Sequence, residues 1–184
     1  MTERDAQILV WRWNICHSTN FLCILPNSGI LGHEADVVKV MPSGRTTEFE
    51  IKCSLADLRA DAKKVEKFSD MNRLALGETH GPSRAIIPGM VYPYPVSTRP
   101  LRGPNYFFYV IEHEWIAKVA IPDWAGILVY STDHTRVVLH QPATLLHKGK
   151  IGTKEHLKLL RSMSWKLWNT RIESENRKGG DSIG

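Results

Sequence analysis

Alternation along the chain is strongest at residues 46–53. Glu48, Glu50 and Lys52 fall on one side of a two-residue period, and Phe49, Ile51 and Cys53 on the other, which predicts a β-strand. Val37, Val38 and Val40 give β-branched character to a second predicted strand over residues 34–41. Pro42, Ser43, Gly44 and Arg45 lie between the two and are turn formers, so the pair reads as a hairpin. Ahead of it, residues 2–16 read as a helix that Thr2 caps, with Glu3 and Asp5 in its first turn. Residues 21–25 read as a short strand or an extended lead-in, and Pro26, Asn27, Ser28 and Gly29 as a turn.

After the hairpin the period lengthens. Ser54 stands where a helix N-cap belongs, and Asp57 follows where a capping box has its acid. Leu55, Leu58, Ala62, Val65, Phe68 and Met71 form an apolar stripe that predicts a helix to about Leu76, with Lys63, Lys64 and Lys67 off the stripe. Residues 77–104 carry six prolines and predict an irregular insertion. It does not read as a domain boundary, because strand-like sequence resumes at residues 105–111. A short helix at 114–119, strands at 127–130 and 136–140, and a long helix at 153–173 complete the pattern. The six tryptophans read mostly as core. Residues 1–173 are thus expected to form a single domain, and 174–184 a flexible polar tail.

Composition fits that picture. A chain of 184 residues, 42 % hydrophobic and 23 % charged, suits one soluble domain. It has no apolar run of bilayer-spanning length, and its charged start is not a signal peptide, so no membrane association and a cytosolic location are expected. Cys16, Cys23 and Cys53 lack the spacing of a zinc knuckle and read as buried thiols. The net charge of +5 is concentrated in residues 148–178, where nine basic residues face three glutamates. Such a stretch serves a polyanionic partner or is simply a solvated basic helix.

The chemistry lies in the hairpin. Glu50 and Lys52 are two apart on one strand and share a face; Asp36 comes from the neighbouring strand. Facing carboxylates repel unless a cation lies between them, and hard oxygen ligands select Mg²⁺ or Mn²⁺. Such an ion polarises a phosphate and acidifies water, while a lysine stabilises developing charge. The Ile51 carbonyl would complete the metal shell. The same residues also read as a solvated Glu/Lys face, on which Glu48 meets solvent.

The runs Glu34-Ala-Asp-Val-Val-Lys-Val and Glu48-Phe-Glu-Ile-Lys-Cys-Ser-Leu-Ala-Asp-Leu-Arg-Ala-Asp-Ala-Lys-Lys resemble the PD-(D/E)XK nuclease superfamily, most closely the MmcB-like DNA-repair nucleases and their phage relatives. The aromatic run Tyr106-Phe-Phe-Tyr-Val, the turn from Pro122 to Gly126 and a closing helix with Leu-Leu-Arg-Ser are similar as well. The resemblance implies an α/β, restriction-endonuclease-like core of αβββαβ type, with a mixed central β-sheet flanked by helices. It implies a Mg²⁺- or Mn²⁺-dependent deoxyribonuclease of repair, recombination or phage DNA processing, in bacterial or phage-infected cytosol. Asp36, Glu50 and the Ile51 carbonyl become metal ligands and Lys52 the catalytic lysine; Glu3 and Glu34 are candidates for a further acid. Ala35 stands where the family name puts proline. Ser54, Lys63, Lys64 and Lys67 are candidate phosphate contacts, each also explained by capping or solvation. The implied partner is nucleic acid, expected to be DNA, bound by a monomer or a homodimer. Two other readings stand beside it: a non-catalytic DNA-binding module of the same fold, and an interaction protein recognised through the proline-rich insertion.

Overall fold

Helix α1 spans Glu3–His17. Its N-terminus is closed by the expected cap: the Thr2 hydroxyl accepts from the Asp5 N–H, and the Thr2 N–H donates to the Asp5 carboxylate, both at 3.2 Å. The structure, a computed structural model, describes residues 1–31, 33–61, 65–78, 80–82, 98–100 and 103–180.

Strand β1 (Cys23–Ser28) is an edge strand, antiparallel to β2 (Ala35–Val40). It therefore takes in Pro26, Asn27 and Ser28, which the sequence assigned to a turn. Proline is admissible at an edge, where one side of the backbone needs no partner strand. Asn27 adopts φ 47°, a left-handed conformation that asparagine accepts more readily than most residues. The hairpin turn follows β2, with Gly44 at φ 81° and the Met41 N–H donating to the Arg45 carbonyl at 2.8 Å. Strand β3 (Thr46–Ile51) returns antiparallel to β2.

Next come α2 (Leu55–Asp61) and α3 (Val65–Ala75), where one helix was expected; Ala62, Lys63 and Lys64 lie outside the described residues. From the proline-rich insertion, β4 (His80–Pro82) and β5 (Thr98–Pro100) pair as a two-stranded antiparallel ribbon, so part of it is regular. Strand β6 (Tyr106–Ile111) then runs parallel to β3, and β7 (Gly126–Tyr130) parallel to β6 after a 3₁₀ turn at His113–Lys118. Strand β8 (Val137–Gln141) closes the sheet antiparallel to β7. The order is β1-β2-β3-β6-β7-β8.

This is the expected α/β class, a mixed central sheet with helices on both faces. On one face Ala6, Leu9 and Val10 of α1 pack with Val37, Phe49, Ile51, Val110 and Leu128. On the other, Leu58 of α2 and Phe68, Met71 and Leu74 of α3 pack with Phe107, Tyr109, Ile111 and Ile127. Alternation within β3 and β6 sends neighbouring residues to opposite cores.

Asn105 ties this sheet to the segment after β8. Its Oδ1 accepts from the Thr46 N–H at 2.7 Å, and its Nδ2 donates to the His147 and Gly149 carbonyls, each at 2.7 Å. Asn105 is buried, so Asn105→Ala leaves several polar groups without partners. The expected loss is about 3 kcal/mol, read as a lowered urea midpoint with an unchanged m-value.

The chain divides into two compact units, Met1–Lys150 and Ile151–Gly184. The second unit holds α4 (Thr153–Gly180), which continues past the predicted end at residue 173 into the predicted tail. Trp165 and Trp168 on it, and Trp11 on α1, are exposed, so the tryptophans are not mostly core. Cys16 and Cys53 are exposed too, and of the expected buried thiols only Cys23 is buried. Among the described residues no helix is long and apolar enough to cross a membrane.

Candidate active site

The sheet register assembles the site. Val37 pairs with Phe49 and Val38 with Glu48, so Asp36 falls opposite Glu50. On the other side of β3, Glu50 lies beside Tyr109 in parallel register. Asp36, Glu50 and Tyr109 thus sit side by side across three adjacent strands. Two of them, β3 and β6, end here, and α2 begins just beyond. The carboxyl ends of parallel strands are where open α/β sheets take their ligands.

Lys52 continues the line of β3, its N–H donating to the Val110 carbonyl at 3.0 Å. Only 3 % of the residue is exposed. Its Nζ lies 2.7 Å from Glu50 Oε1, 3.4 Å from Asp61 Oδ1 and 3.8 Å from Asp57 Oδ1. A buried ammonium costs several kcal/mol unless opposite charges surround it. Burial alone pulls its pKa down, but Glu50, Asp61 and Asp57 outweigh that, and the net shift is upward. Lys52 is therefore a fixed cation at neutral pH. It serves as a hydrogen-bond donor and not as a general base.

Helix α2 delivers the second layer. Ser54 caps it, with its Oγ accepting from the Asp57 N–H at 3.1 Å. One turn on, Asp61 is fully buried, and the Tyr109 hydroxyl donates to its Oδ2 at 3.1 Å. Burial and the Asp61 carboxylate push the Tyr109 phenol pKa far up, so the phenol stays protonated. The sequence reading missed Asp57, Asp61 and Tyr109 as site residues. A signal for the two acids was present: they are four apart on a capped helix and so share a face.

Asp36 is the other carboxylate of the pair. Its Oδ2 accepts from the Ile51 N–H at 2.7 Å. Burial first, and then the Glu50 carboxylate, push its pKa up to about 6, against the pull of the Ile51 N–H and Lys52. Glu3 adds to the push, so it lies within electrostatic reach. The Gln7 amide links these elements, donating to Glu3 Oε1 at 3.0 Å, Asn27 Oδ1 at 2.7 Å and the Asp36 carbonyl at 3.2 Å.

Other candidates lie as follows. Glu34 is exposed at the entrance to β2. Glu48 does not meet solvent as expected: it is fully buried and bound by His33 Nε2 at 2.8 Å. The segment before β2 lays His33 over a face that the sequence presented as open. Lys63, Lys64 and the side chain of Lys67 lie outside the described residues.

Among the described residues, no group of three or more His, Cys, Asp or Glu side chains is placed to hold a metal ion. The donor set to be weighed is two carboxylates, Asp36 and Glu50, with the Ile51 carbonyl. Mg²⁺ is commonly held by one or two carboxylates with water filling its shell, so this all-oxygen set fits Mg²⁺ or Mn²⁺ and does not fit zinc. Charge agrees. Three carboxylates (Glu50, Asp57 and Asp61) lie around the Lys52 ammonium, and the pKa of Asp36, opposite Glu50, is raised first by burial and then by the Glu50 charge, which a cation would offset.

Comparison with known proteins adds little. No family model matches the chain, and no curated protein matches it. Among solved structures it is similar to a protein of unknown function from Silicibacter pomeroyi, with 16 % identity over 87 % of this chain and 83 % of that one, at a TM-score of 0.48.

Proposed function

We propose that the protein is a divalent-metal-dependent nuclease that hydrolyses DNA phosphodiester bonds at Asp36, Glu50 and Lys52. The observation that carries this is the Lys52 ammonium held 2.7 Å from Glu50, on the strand whose register sets Glu50 opposite Asp36. Two carboxylates and a charged lysine on one sheet end match what the PD-(D/E)XK resemblance implies. Asp36, Glu50 and the Ile51 carbonyl hold the Mg²⁺ or Mn²⁺, which supplies Lewis acidity toward the phosphate and acidifies water. Lys52 keeps its proton throughout and donates a hydrogen bond to charge that develops on phosphate. Asp57 and Asp61 fix the lysine, and Tyr109 fixes Asp61. The test is incubation with single-stranded, duplex and branched DNA in Mn²⁺. Cleavage that Lys52→Met abolishes supports the proposal; no cleavage of any substrate, or equal cleavage by that variant, sinks it.

Asp36 sets a pH dependence. Below about 6 it carries a proton and is a poor ligand. Mn²⁺ affinity is therefore expected to rise between pH 5 and 7, approaching tenfold per unit at the acid end, and then to level off. Calorimetric titration with Mn²⁺ across that range reads it. A flat profile contradicts the assignment of Asp36 as a ligand.

A second reading has its own observation. Helix α4 exposes Lys154, Lys158 and Arg161 together with Trp165 and Trp168, which suits single-stranded nucleic acid: cations for phosphates and rings for bases. As a pure binding module the protein would hold DNA salt-dependently, and Asp36→Asn would change nothing.

A further inference from the structure

The opposite face of the sheet holds a cavity that the nuclease reading does not use. Its volume is about 300 Å³, at the lower end of the range for ligand pockets. Its lining includes Trp13 and Asn14 from α1, Lys39 and Arg45 from the two sides of the hairpin, and Tyr106 and Phe108 from β6. Lys39 pairs with Thr47 and so shares the face of Val37 and Phe49, away from Lys52.

Three features of this lining point to a ligand. First, its charge is one-sided. Among the described residues that line it, Lys39 and Arg45 are the cations and there is no acid; neither cation is ion-paired among the described residues, and the Lys39 ammonium lies 5.9 Å from the centre of the Phe21 ring. Lys39 is buried, and burial pulls its pKa down. Second, the lining carries buried polar atoms without a protein partner: the Trp13 and Arg45 Nε hydrogens, both donors, and Asn14 Oδ1, an acceptor. Asn14 is held rigidly, its Nδ2 donating to the Val10 carbonyl at 2.9 Å. All three are closed to water, so a ligand meets them only as the side chains that cover them move aside. Third, the walls are aromatic. Trp13, Phe49 and Phe108 are in mutual ring contact, with centroids 5.5–6.4 Å apart.

We propose that this cavity binds a nucleoside 5′-monophosphate group, with its phosphate on Lys39 and Arg45 and its base among the aromatic walls. A nucleobase brings a flat ring with both donors and acceptors on its edge, which suits Trp13 and Asn14. The phosphate supplies the anion that the cations lack. The same group occurs as a free nucleotide or as the 5′-phosphorylated end of a DNA strand. The site stands whether or not Asp36 and Glu50 cleave DNA.

Isothermal titration of the full chain with deoxyadenosine 5′-monophosphate tests it. Saturable binding is expected, at least tenfold weaker for deoxyadenosine and for deoxyribose 5-phosphate. Lys39→Met and Arg45→Met should each weaken it at least tenfold, and Asp36→Asn should leave it unchanged. A second readout is the Trp13 indole N–H resonance, assigned by its loss in Trp13→Phe, which should shift on titration. No saturable binding, affinity unchanged in both methionine variants, or an unmoved Trp13 resonance overturns the proposal, the last even if the variants fail to fold. Competition by a 5′-phosphorylated oligodeoxynucleotide, but not by its 5′-hydroxyl form, identifies a strand end as the source. No competition by either identifies the free nucleotide.

Discussion

Lys52→Met is expected to lower DNA cleavage by about 10²–10³-fold and to destabilise the fold by about 3–5 kcal/mol. Both effects come from one geometry. The ammonium lies among Glu50, Asp61 and Asp57, and both Glu50 and Asp61 are buried. Without it, Glu50 and Asp61 repel each other away from water. The two effects separate in the double variant Lys52→Met/Asp61→Asn. Neutralising Asp61 removes one stranded charge, and the Asn amide oxygen still accepts from Tyr109. Stability should recover in part while cleavage stays lost. Lys52→Arg supplies the complementary case: charge is kept, but a planar guanidinium does not reproduce a compact ammonium, so the fold survives better than the activity. Urea midpoints and cleavage rates in Mn²⁺ read both axes. Recovery of cleavage in the double variant would mean that Lys52 acts only by stabilising the fold.

The second large effect is expected of Asp36→Asn. The amide oxygen still accepts from the Ile51 N–H, so the hydrogen bond at 2.7 Å survives and only the charge is lost. The sign follows from the direction of the shift. The Asp36 pKa is raised in the folded state to about 6, above its value in an unfolded chain. Between those two values the folded protein binds more protons, so wild-type stability falls as pH rises through that window. Asn carries no such loss. Without divalent ions, Asp36→Asn should therefore melt above wild type at pH 7.5, and the gap should close toward pH 4. Added Mn²⁺ should raise the wild-type midpoint, by about 2.7 kcal/mol of stability at a hundred times Kd, and leave the variant nearly unmoved. Cleavage by the variant should be lost. A variant that melts below wild type at pH 7.5 would contradict the raised Asp36 pKa, which burial and then the Glu50 charge produce. Equal Mn²⁺ shifts in the two proteins would remove Asp36 from the metal site.

How much of this was legible beforehand depended on distance along the chain. The Thr2 cap, the β2–β3 hairpin and the shared face of Glu50 and Lys52 are local, set by neighbours within a few residues, and were read correctly; the reciprocal Thr2–Asp5 bond was not foreseen. Asp36 opposite Glu50 needed only a hairpin of the right register. Tyr109 and Asp61 are 48 residues apart, and nothing short-range relates them. Their meeting is a consequence of β6 lying parallel to β3. The burial of Glu48 was hidden for the same reason, since it depends on where His33 is laid. Pro26 misled the reading because a proline marks a turn in most settings, and only sheet order makes it an edge strand. Trp165 and Trp168 misled it because apolar spacing reports a helix but not what covers it.

Pro26 and Asn27 have a consequence for self-association. A free sheet edge is a template on which another chain can add a strand. β1 and β8 are the two edges of this sheet. β1 is a poor template: Pro26 offers no N–H, and Asn27 breaks the extended backbone at φ 47°. β8, Val137–Gln141, contains no proline and exposes Val138 and Leu139. Of the two edges of the sheet, β8 is therefore the one suited to strand addition. With one receptive edge, two copies can join β8 to β8 and then have no edge left to extend, so such growth stops at a pair short of a fibre.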